Sequence, residues 1–527
     1  MTEIQSIPQL VAGFEGELAD QPLLVFDDRE LSYGGAARQS AVLARQLLDA
    51  GIGKGDRVAM IFPNSPEFVV SWLAITRIGA VAVPLSTLAT AWELGRMLSH
   101  CDARWLISAD RFLNHDYGAR LDSLLGLAGR EQPLSLPAFP HLRGVWIWGR
   151  GISGWPGRVD LTVAPRADAD LLAAAEAAVR PADPVTIIYT SGTTSEPKGV
   201  IHGQGGFMRQ AAKMAAMYPY EPGERCFTVM PFFWVGGLMT GVLTCIRARA
   251  TVLCSAHKGR PLLDFIERTR PGYVLMWPNL AQAMASDPSF AARDFTFIKS
   301  AGVADRVFPH LAGHRRVVIG NSLGMTETAG PHTTILPYVP ADMPDSMGPS
   351  APGIEHRVVD PATGTVLGEG QAGELQVRGD TLMLGYVGRE WRECFTADGW
   401  FATGDLCEIR NGHVLFHGRC DDMIKSYGAN VSPAEVEQVL MDCPAVAQAI
   451  VVGVPHPQKS QVVGAAVVLK PGCALEVAKL LDHARGRLSN YKVPSVLKII
   501  EETEIEVTAS GKIKKHALAK MLAGVAS

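Results

Sequence analysis

The stretch Tyr189-Thr190-Ser191-Gly192-Thr193-Thr194-Ser195-Glu196-Pro197-Lys198-Gly199-Val200 concentrates hydroxyl side chains, a glycine-loosened backbone and one lysine in a short space. Such a loop can surround polyphosphate oxygens with N–H and O–H donors while Lys198 offsets their charge. It is not a Walker A loop, because the pattern G-x-x-x-x-G-K-[ST] does not occur in it. A lone Thr-Ser-Gly would read as an ordinary turn. The whole string, directly after the β-branched run Val185 to Tyr189, reads as a phosphate-binding loop.

A loop of this kind needs a strand before it and a scaffold around that strand. Short apolar runs at Val58–Phe62, Ala80–Pro84, Trp105–Ser108, Thr228–Met230, Thr251–Leu253 and Tyr273–Met276 read as further strands, with helical patterns between several of them. Their hydrophobicity is continuous rather than alternating, which argues for buried parallel sheets. Thr90-Ala91-Trp92-Glu93 reads as a capping box that opens a helix. From about 345 to 418 the texture changes to Gly-punctuated β segments, which predicts a β-rich subdomain. After the hairpin-like Arg410-Asn411-Gly412-His413 a second boundary falls near Arg419. Beyond it, Ser432-Pro433-Ala434-Glu435 opens a helix, and strands at Ala449–Val454 and Val462–Leu469 precede a helix around Val477–Leu488. The expected fold is α/β. A large N-terminal domain, 1–419, carries parallel or mixed sheets with helices and the β-rich subdomain; a small α+β domain follows at 420–527.

Composition bounds the function. At 527 residues, 47% apolar and 19% charged, the chain is globular and too long for one core. A net charge of −4 leaves no basic excess for a nucleic-acid backbone. The nine cysteines are scattered without a C-x-x-C pair, so reduced thiols are expected rather than a zinc site or disulfide framework. Met1-Thr2-Glu3-Ile4 lacks the features of a secretory signal, and no run of about 18 apolar residues suggests a spanning helix. A cytoplasmic location is expected, with peripheral membrane contact left open.

The phosphate loop resembles the signature of the adenylate-forming superfamily, which includes acyl- and aryl-CoA synthetases, luciferases and the adenylation domains of peptide synthetases. Gly324-Met325-Thr326-Glu327, Gly373-Glu374 through Arg378-Gly379 with Gly385-Tyr386, Thr403-Gly404-Asp405, Gly418-Arg419-Cys420-Asp421-Asp422 with Ile424-Lys425 and Gly428, and Ser510-Gly511-Lys512-Ile513 follow in the family's order. The resemblance implies a carboxylate that attacks the α-phosphate of ATP to give an acyl-adenylate and pyrophosphate, after which a thiol displaces AMP. It implies that Thr190, Ser191, Gly192, Thr193, Thr194 and Lys198 hold the β- and γ-phosphates. Ser322, Leu323, Gly324 and Met325 would border the nucleotide. Thr326 would contact the α-phosphate and Glu327 would hold Mg²⁺, a hard cation suited to carboxylate oxygen. Asp405 would accept from the ribose hydroxyls, with Arg419 as a further contact. Lys512 would reach the α-phosphate in the first half-reaction only. The C-terminal domain would then rotate about Asp421 to bring Lys425, Tyr427 and Gly428 beside the CoA thiol.

Several positions depart from the family pattern. Ser195 stands in place of a usual Gly, Leu323 in place of an aromatic that stacks on adenine, and Trp234 in place of a frequent His. Glu504-Ile505-Glu506-Val507-Thr508 replaces the usual Pro/Arg-containing approach to the C-terminal lysine. Trp234, Gly236, Gly237, Met239, Thr240, Ala301, Gly302 and Val303 would line the acyl pocket, where glycines leave volume and Trp234, Met239, Val303 and Leu323 supply apolar walls. No Asp lies near Phe233 to bind an α-amine. The expected substrate is therefore a bulky apolar monocarboxylate: aryl, medium-chain or alicyclic. CoA is the expected acceptor, with loading of a free-standing acyl carrier protein as the alternative. A non-catalytic nucleotide- or acyl-binding homologue is a reading of another class, opposed by the presence of Lys198, Glu327, Asp405 and Lys512. A homodimer is left open, because no segment marks an interface.

Overall fold

A computed structural model describes residues 4–149, 155, 157–190, 197–218, 220–302, 307–308, 310–311, 322–334, 343, 346–420, 424–426, 429–457, 460–506 and 513–524. The chain forms two compact units. The first comprises residues 1–87, 98–188 and 199–418; the second comprises 88–97, 189–198 and 419–527.

The first unit is organised by three main sheets. In the eight-stranded sheet, Arg57–Ile61 pairs in parallel with Val81–Pro84 on one side and Trp105–Ala109 on the other, and Gly144–Trp148 continues the parallel order. Pro184–Thr190 joins the other flank through Thr186 and Ala82. These central strands are almost wholly buried, which explains their unbroken apolar sequence. Helices Tyr33–Asp49 and Pro66–Arg77 contribute to the main core beside them. Both open on a serine cap: Ser32 accepts from Gly35 N and Ser65 from Phe68 N. A second sheet pairs Tyr273–Leu275, Arg225–Thr228, Thr251–Cys254 and Pro22–Phe26 in parallel, with Arg29–Ser32 antiparallel at its edge. The strand expected at Thr228–Met230 lies earlier, at Arg225–Thr228. The chain leaves the sheet where Met230 N turns back onto Thr228 Oγ1, just before Pro231.

The antiparallel sheet of this unit is ordered Ser346–Pro349, His413–Arg419, Phe401–Arg410, Gly373–Gly379 and Ile354–Val359. Its hairpin turns at Asn411 and Gly412, both at positive φ (50° and 75°), the mirror-image turn that matches strand twist.

In the second unit, Val446–His456 and Ser460–Leu469 form a long antiparallel pair, with Val496–Ile499 parallel to the latter. Helices Pro433–Met441 and Val477–Arg485 pack against this sheet through one apolar cluster, and Lys515–Ala523 through another. The capping box at Thr90 forms: Thr90 N donates to Glu93 Oε2 at 2.8 Å and Glu93 N to Thr90 Oγ1 at 3.3 Å. At the other cap Ser432 Oγ accepts from Glu435 N, but the Glu435 carboxylate takes Lys492 instead of closing a reciprocal box. No disulfide joins the described cysteines, and no helix among the described residues is long and apolar enough to cross a membrane.

Candidate active site

Thr326 and Glu327 sit at the tip of one small hairpin. Gly324–Met325 pairs antiparallel with Gly330–Pro331, and the tip is a single tight turn, Thr326–Thr328. Thr328 Oγ1 donates to Gly330 O at 2.6 Å, and Ala329 adopts a left-handed φ of 59° to close the turn. At its base Leu323 N donates to Thr333 Oγ1 and His332 N to Leu323 O, both at 2.8 Å. Gln210 Nε2, on helix Gln204–Met217, donates to Pro331 O at 2.8 Å and ties the return strand to that helix. Gly324 has no room for a side chain: a Cβ there would lie 2.9 Å from the Pro331 backbone.

The tip presents Thr326 and Glu327. Glu327 is buried, its Oε1 accepts from Tyr386 Oη at 2.7 Å, and its main-chain oxygen accepts from Met383 N at 2.8 Å. Burial and the Glu327 charge push the Tyr386 phenol well above its usual range, so it stays a donor. Tyr386 comes from Gly385–Tyr386, which pairs antiparallel with Lys198–Gly203 at Val200↔Tyr386 and Ile201↔Gly385. On the same strand, the fully buried His202 donates to the Thr326 backbone; burial drives its pKa down to about 4, only partly opposed by that bond. The motif Gly385-Tyr386 was visible in the sequence, but neither Tyr386 nor His202 carried a role there. Tyr386 lies 59 positions from Glu327, and His202 lies farther still from Thr326, so only strand pairing brings them together.

Asp405 is buried on Phe401–Arg410, one residue beyond Gly404, whose N–H donates to Glu374 Oε1 at 3.2 Å. Asp405 N donates to Thr403 Oγ1, whose hydroxyl is anchored on Leu375 O at 2.8 Å. Leu323 packs against the apolar cluster of Val358, Leu375, Cys407 and Val414, so the residue expected beside adenine is also a packing residue of the sheet that carries Asp405. Ser322, Met325 and Thr326 are half-buried and Gly324 is exposed.

Of the expected acyl-pocket residues, Gly236, Gly237, Met239 and Thr240 fall on a wide π-helix, Gly236–Leu243, a geometry that recurs at functional sites. Trp234 is half-buried and meets Phe233 edge-on at 5.2 Å. Met239 is wholly buried in the main core, and Thr240 is half-buried. Gly237 does not leave volume: a Cβ there would lie 2.0 Å from Pro231 O. At Gly236 the nearest obstacle is the flexible Met230 Cε at 3.1 Å. Ala301 is buried, and Gly302, at φ 56°, donates its N–H to Ser300 Oγ.

In the second unit Thr190 ends the strand Pro184–Thr190 and Lys198 begins the strand Lys198–Gly203; both are half-buried. Lys425 is exposed on a short hairpin, opposite Asn430, with its N–H on Gln461 Oε1. Ser191, Gly192, Thr193, Thr194, Val303, Asp421, Tyr427, Gly428 and Lys512 lie outside the described residues, as does the Arg419 side chain.

Among the described residues no three His, Cys, Asp or Glu side chains gather in a way that could hold a metal. Glu327 is a single buried carboxylate with one oxygen already taken. That suits Mg²⁺, which binds through one or two carboxylates, waters and substrate phosphates rather than through a protein cage.

The AMP-binding enzyme family model matches residues 15–387, and the AMP-binding enzyme C-terminal domain model matches residues 435–512. The chain is 30% identical to the 3-[(3aS,4S,7aS)-7a-methyl-1,5-dioxo-octahydro-1H-inden-4-yl]propanoyl:CoA ligase of Mycobacterium tuberculosis, over 99% of this chain and 100% of that protein. It is 29% identical to the indoleacetate–CoA ligase of Aromatoleum aromaticum, over 94% of each. The amide bond synthetase of Marinactinospora thermotolerans shares its fold at a TM-score of 0.79 and 24% identity, over 98% of this chain and 99% of that one.

Proposed function

The chain belongs to the AMP-binding enzyme family, as an AMP-forming carboxylate–CoA ligase that uses ATP, Mg²⁺ and CoA, and from that premise we propose that its acid is a bulky apolar monocarboxylate, aryl, medium-chain or alicyclic. The observation that carries the site assignment is the Thr326–Glu327 turn, with Glu327 buried against Tyr386. Thr326 is assigned to the α-phosphate and Glu327 to Mg²⁺. The loop from Thr190 to Lys198 is assigned to the β- and γ-phosphates, Asp405 and Arg419 to the ribose side, and Lys512 to the α-phosphate during adenylation. Mg²⁺ supplies neutralisation of phosphate charge when bound. The protein's own share is positioning and preorganised donors, since adenylation demands little covalent work from it.

Asp421 is assigned as the hinge between domains 1–419 and 420–527, and Lys425, Tyr427 and Gly428 to the CoA side. The acyl assignment is supported by the aromatic pair Phe233 and Trp234 beside the wide Gly236–Leu243 helix. It is also supported by relatives named for a bicyclic propanoyl group and for indoleacetate. ATP and CoA as substrates support a cytoplasmic location.

Pyrophosphate release from Mg-ATP, measured across acetate, benzoate-like, medium-chain and alicyclic acids with and without CoA, tests the reading. Release dependent on a bulky apolar acid, with a CoA thioester as product, is expected. Preference for acetate or an amino acid would overturn the substrate class.

A further inference from the structure

We infer that Tyr386 is the positioning residue for the metal-binding carboxylate, fixing Glu327 Oε1 so that a single oxygen, Oε2, faces the divalent cation; this rests on the assignment of Glu327 made above. The geometry has three parts. Tyr386 Oη donates to Glu327 Oε1 at 2.7 Å, and both side chains are buried, so water does not compete for the bond. The ring is itself fixed, packed among Val200, Met383, Phe395 and Phe401, with Phe395 5.3 Å from Trp391.

The strand behind it is tied at successive positions to Lys198–Gly203. Leu384 N donates to Ile201 O at 2.7 Å and Val387 N to Gly199 O at 2.9 Å. Met383 N, from the same stretch, holds the Glu327 main chain, while His202 on the paired strand holds that of Thr326. The dipeptide Thr326–Glu327 is therefore held from one two-stranded ladder at three points, and the Tyr386 hydroxyl is the one that reaches the carboxylate.

A carboxylate without this bond could turn and chelate through both oxygens or swing away. With it, the carboxylate's orientation is held and one-oxygen binding through Oε2 is favoured, which would suit the octahedral shell of Mg²⁺. Loss of one hydrogen bond to a charged group corresponds to roughly tenfold in an equilibrium constant.

The test is Tyr386→Phe, with Glu327→Gln and the double variant alongside, in the full chain. Mn²⁺ binding is read by electron paramagnetic resonance in the presence of a non-hydrolysable ATP analogue, together with KM for MgATP and for the acid. Tyr386→Phe is expected to melt within a few degrees of the parent and to weaken Mn²⁺ binding roughly tenfold. The KM for the acid should not move, and the double variant should bind no more weakly than Glu327→Gln. Weakened binding in Glu327→Gln with unchanged binding in Tyr386→Phe would overturn the positioning role of Tyr386. Unchanged binding in both variants would overturn the assignment of Glu327 itself. If Tyr386→Phe melts far lower, Phe395→Leu, which loosens the packing around the ring and keeps the hydroxyl, serves as the packing control, and an equal loss of Mn²⁺ binding in that variant would also overturn the proposal.

Discussion

The ammonium of Lys492 lies 2.8 Å from the carboxylate of Glu93, 399 positions earlier in the chain. A second carboxylate, Glu435, sits at the same distance from the same nitrogen. Glu93 is further satisfied by Ser489 Oγ at 2.8 Å and by its own cap at Thr90, whose hydroxyl reaches Arg487 O at 3.0 Å. Burial alone would raise the Glu93 pKa; the charge and hydrogen bond of Lys492, with Thr90 and Ser489, bring it below the usual carboxylate range. Burial alone would lower that of Lys492, but Glu435, Tyr491 and Glu93 together lift it. Glu93 therefore adds stability that is present above about pH 4.5 and fades as pH falls through its lowered pKa; Lys492 adds stability present below about pH 10.4 and lost as pH rises through its raised one. Across neutral pH the triad is at full strength.

Lys492→Met is expected to destabilise the C-terminal unit by about 3–5 kcal/mol, because it leaves two buried carboxylates without their cation. Glu93→Gln should cost less, since the amide keeps a partner in Ser489 and one carboxylate still neutralises Lys492. Urea unfolding followed by intrinsic fluorescence orders the two; an equal or inverted order would remove the triad from the account of stability.

Glu93 also shows what was legible in the sequence and what was not. The box Thr90-x-x-Glu93 is a local pattern and forms as read, yet its stronger partner is Lys492, which no window around residue 93 contains. Strand Val185–Tyr189 was legible because a central parallel strand is buried on both faces and so writes itself as an unbroken β-branched run. Strand Arg225–Thr228 was misplaced because its first residue, Arg225, sits exposed at the sheet's end while the apolar run continues past Thr228 into the turn before Pro231. At Gly237 the sequence suggests pocket volume, whereas the close approach of the Pro231 backbone accounts for the glycine. The motifs mark Asp405 and Glu327; the contacts behind them, Leu375 O beneath the Thr403 hydroxyl and the Tyr386 hydroxyl on Glu327, depend on sheet pairing.

Three buried histidines predict an acid-side loss of stability. Burial lowers His356 to about 4, burial with the neighbouring His356 charge lowers His332 to about 3, and His202 lies near 4. His332 Nδ1 and His356 Nε2 are 2.8 Å apart, and His356 Nδ1 meets Ser350 Oγ at 2.7 Å, so the pair is a neutral hydrogen-bonded chain. Unfolding lets each imidazole take up a proton below its unfolded value near about 6.5. Stability should therefore fall as pH drops from about 6.5 toward 4, by at most about 1.4 kcal/mol per pH unit for each histidine. Urea midpoints at pH 7.5, 6.0 and 5.0 measure the slope. His332→Asn should flatten part of it, and a midpoint constant over that interval would contradict the buried-neutral assignment.

Asp405→Asn keeps the size of the side chain and its place beside Thr403 but removes the charge. If Asp405 accepts from the ribose hydroxyls, each weakened bond costs about 1.5–3 kcal/mol. The kcat/KM for ATP should then fall by roughly ten- to a hundredfold or more, while KM for the acid holds. Initial-rate kinetics with ATP varied at saturating acid, then the reverse, separate the two. A matched loss on both substrates would point to a folding defect in the Phe401–Arg410 strand.

Neighbouring glycines on the wide helix should behave in opposite ways. At Gly237 an added Cβ would lie 2.0 Å from Pro231 O, 2.4 Å from Pro231 C and 2.7 Å from Met230 O, all backbone atoms that cannot step aside cheaply. Gly237→Ala is therefore expected to destabilise the first unit by about 1–3 kcal/mol or more, lowering the melting temperature whatever acid is present. At Gly236 the same methyl meets only the mobile end of Met230, at 3.1 Å. Gly236→Ala should fold normally and act instead on the substrate. A methyl intruding on an acyl pocket is worth about 1–3 kcal/mol, or roughly 10–200-fold in kcat/KM, so activity should fall for a bulky acid and hold for a slim one, with KM for ATP unmoved. Specificity constants for an acid series graded in width, measured beside melting curves for both variants, decide it. Equal ratios across that series would take the Gly236–Leu243 helix out of the acyl pocket and leave Trp234 as a packing residue.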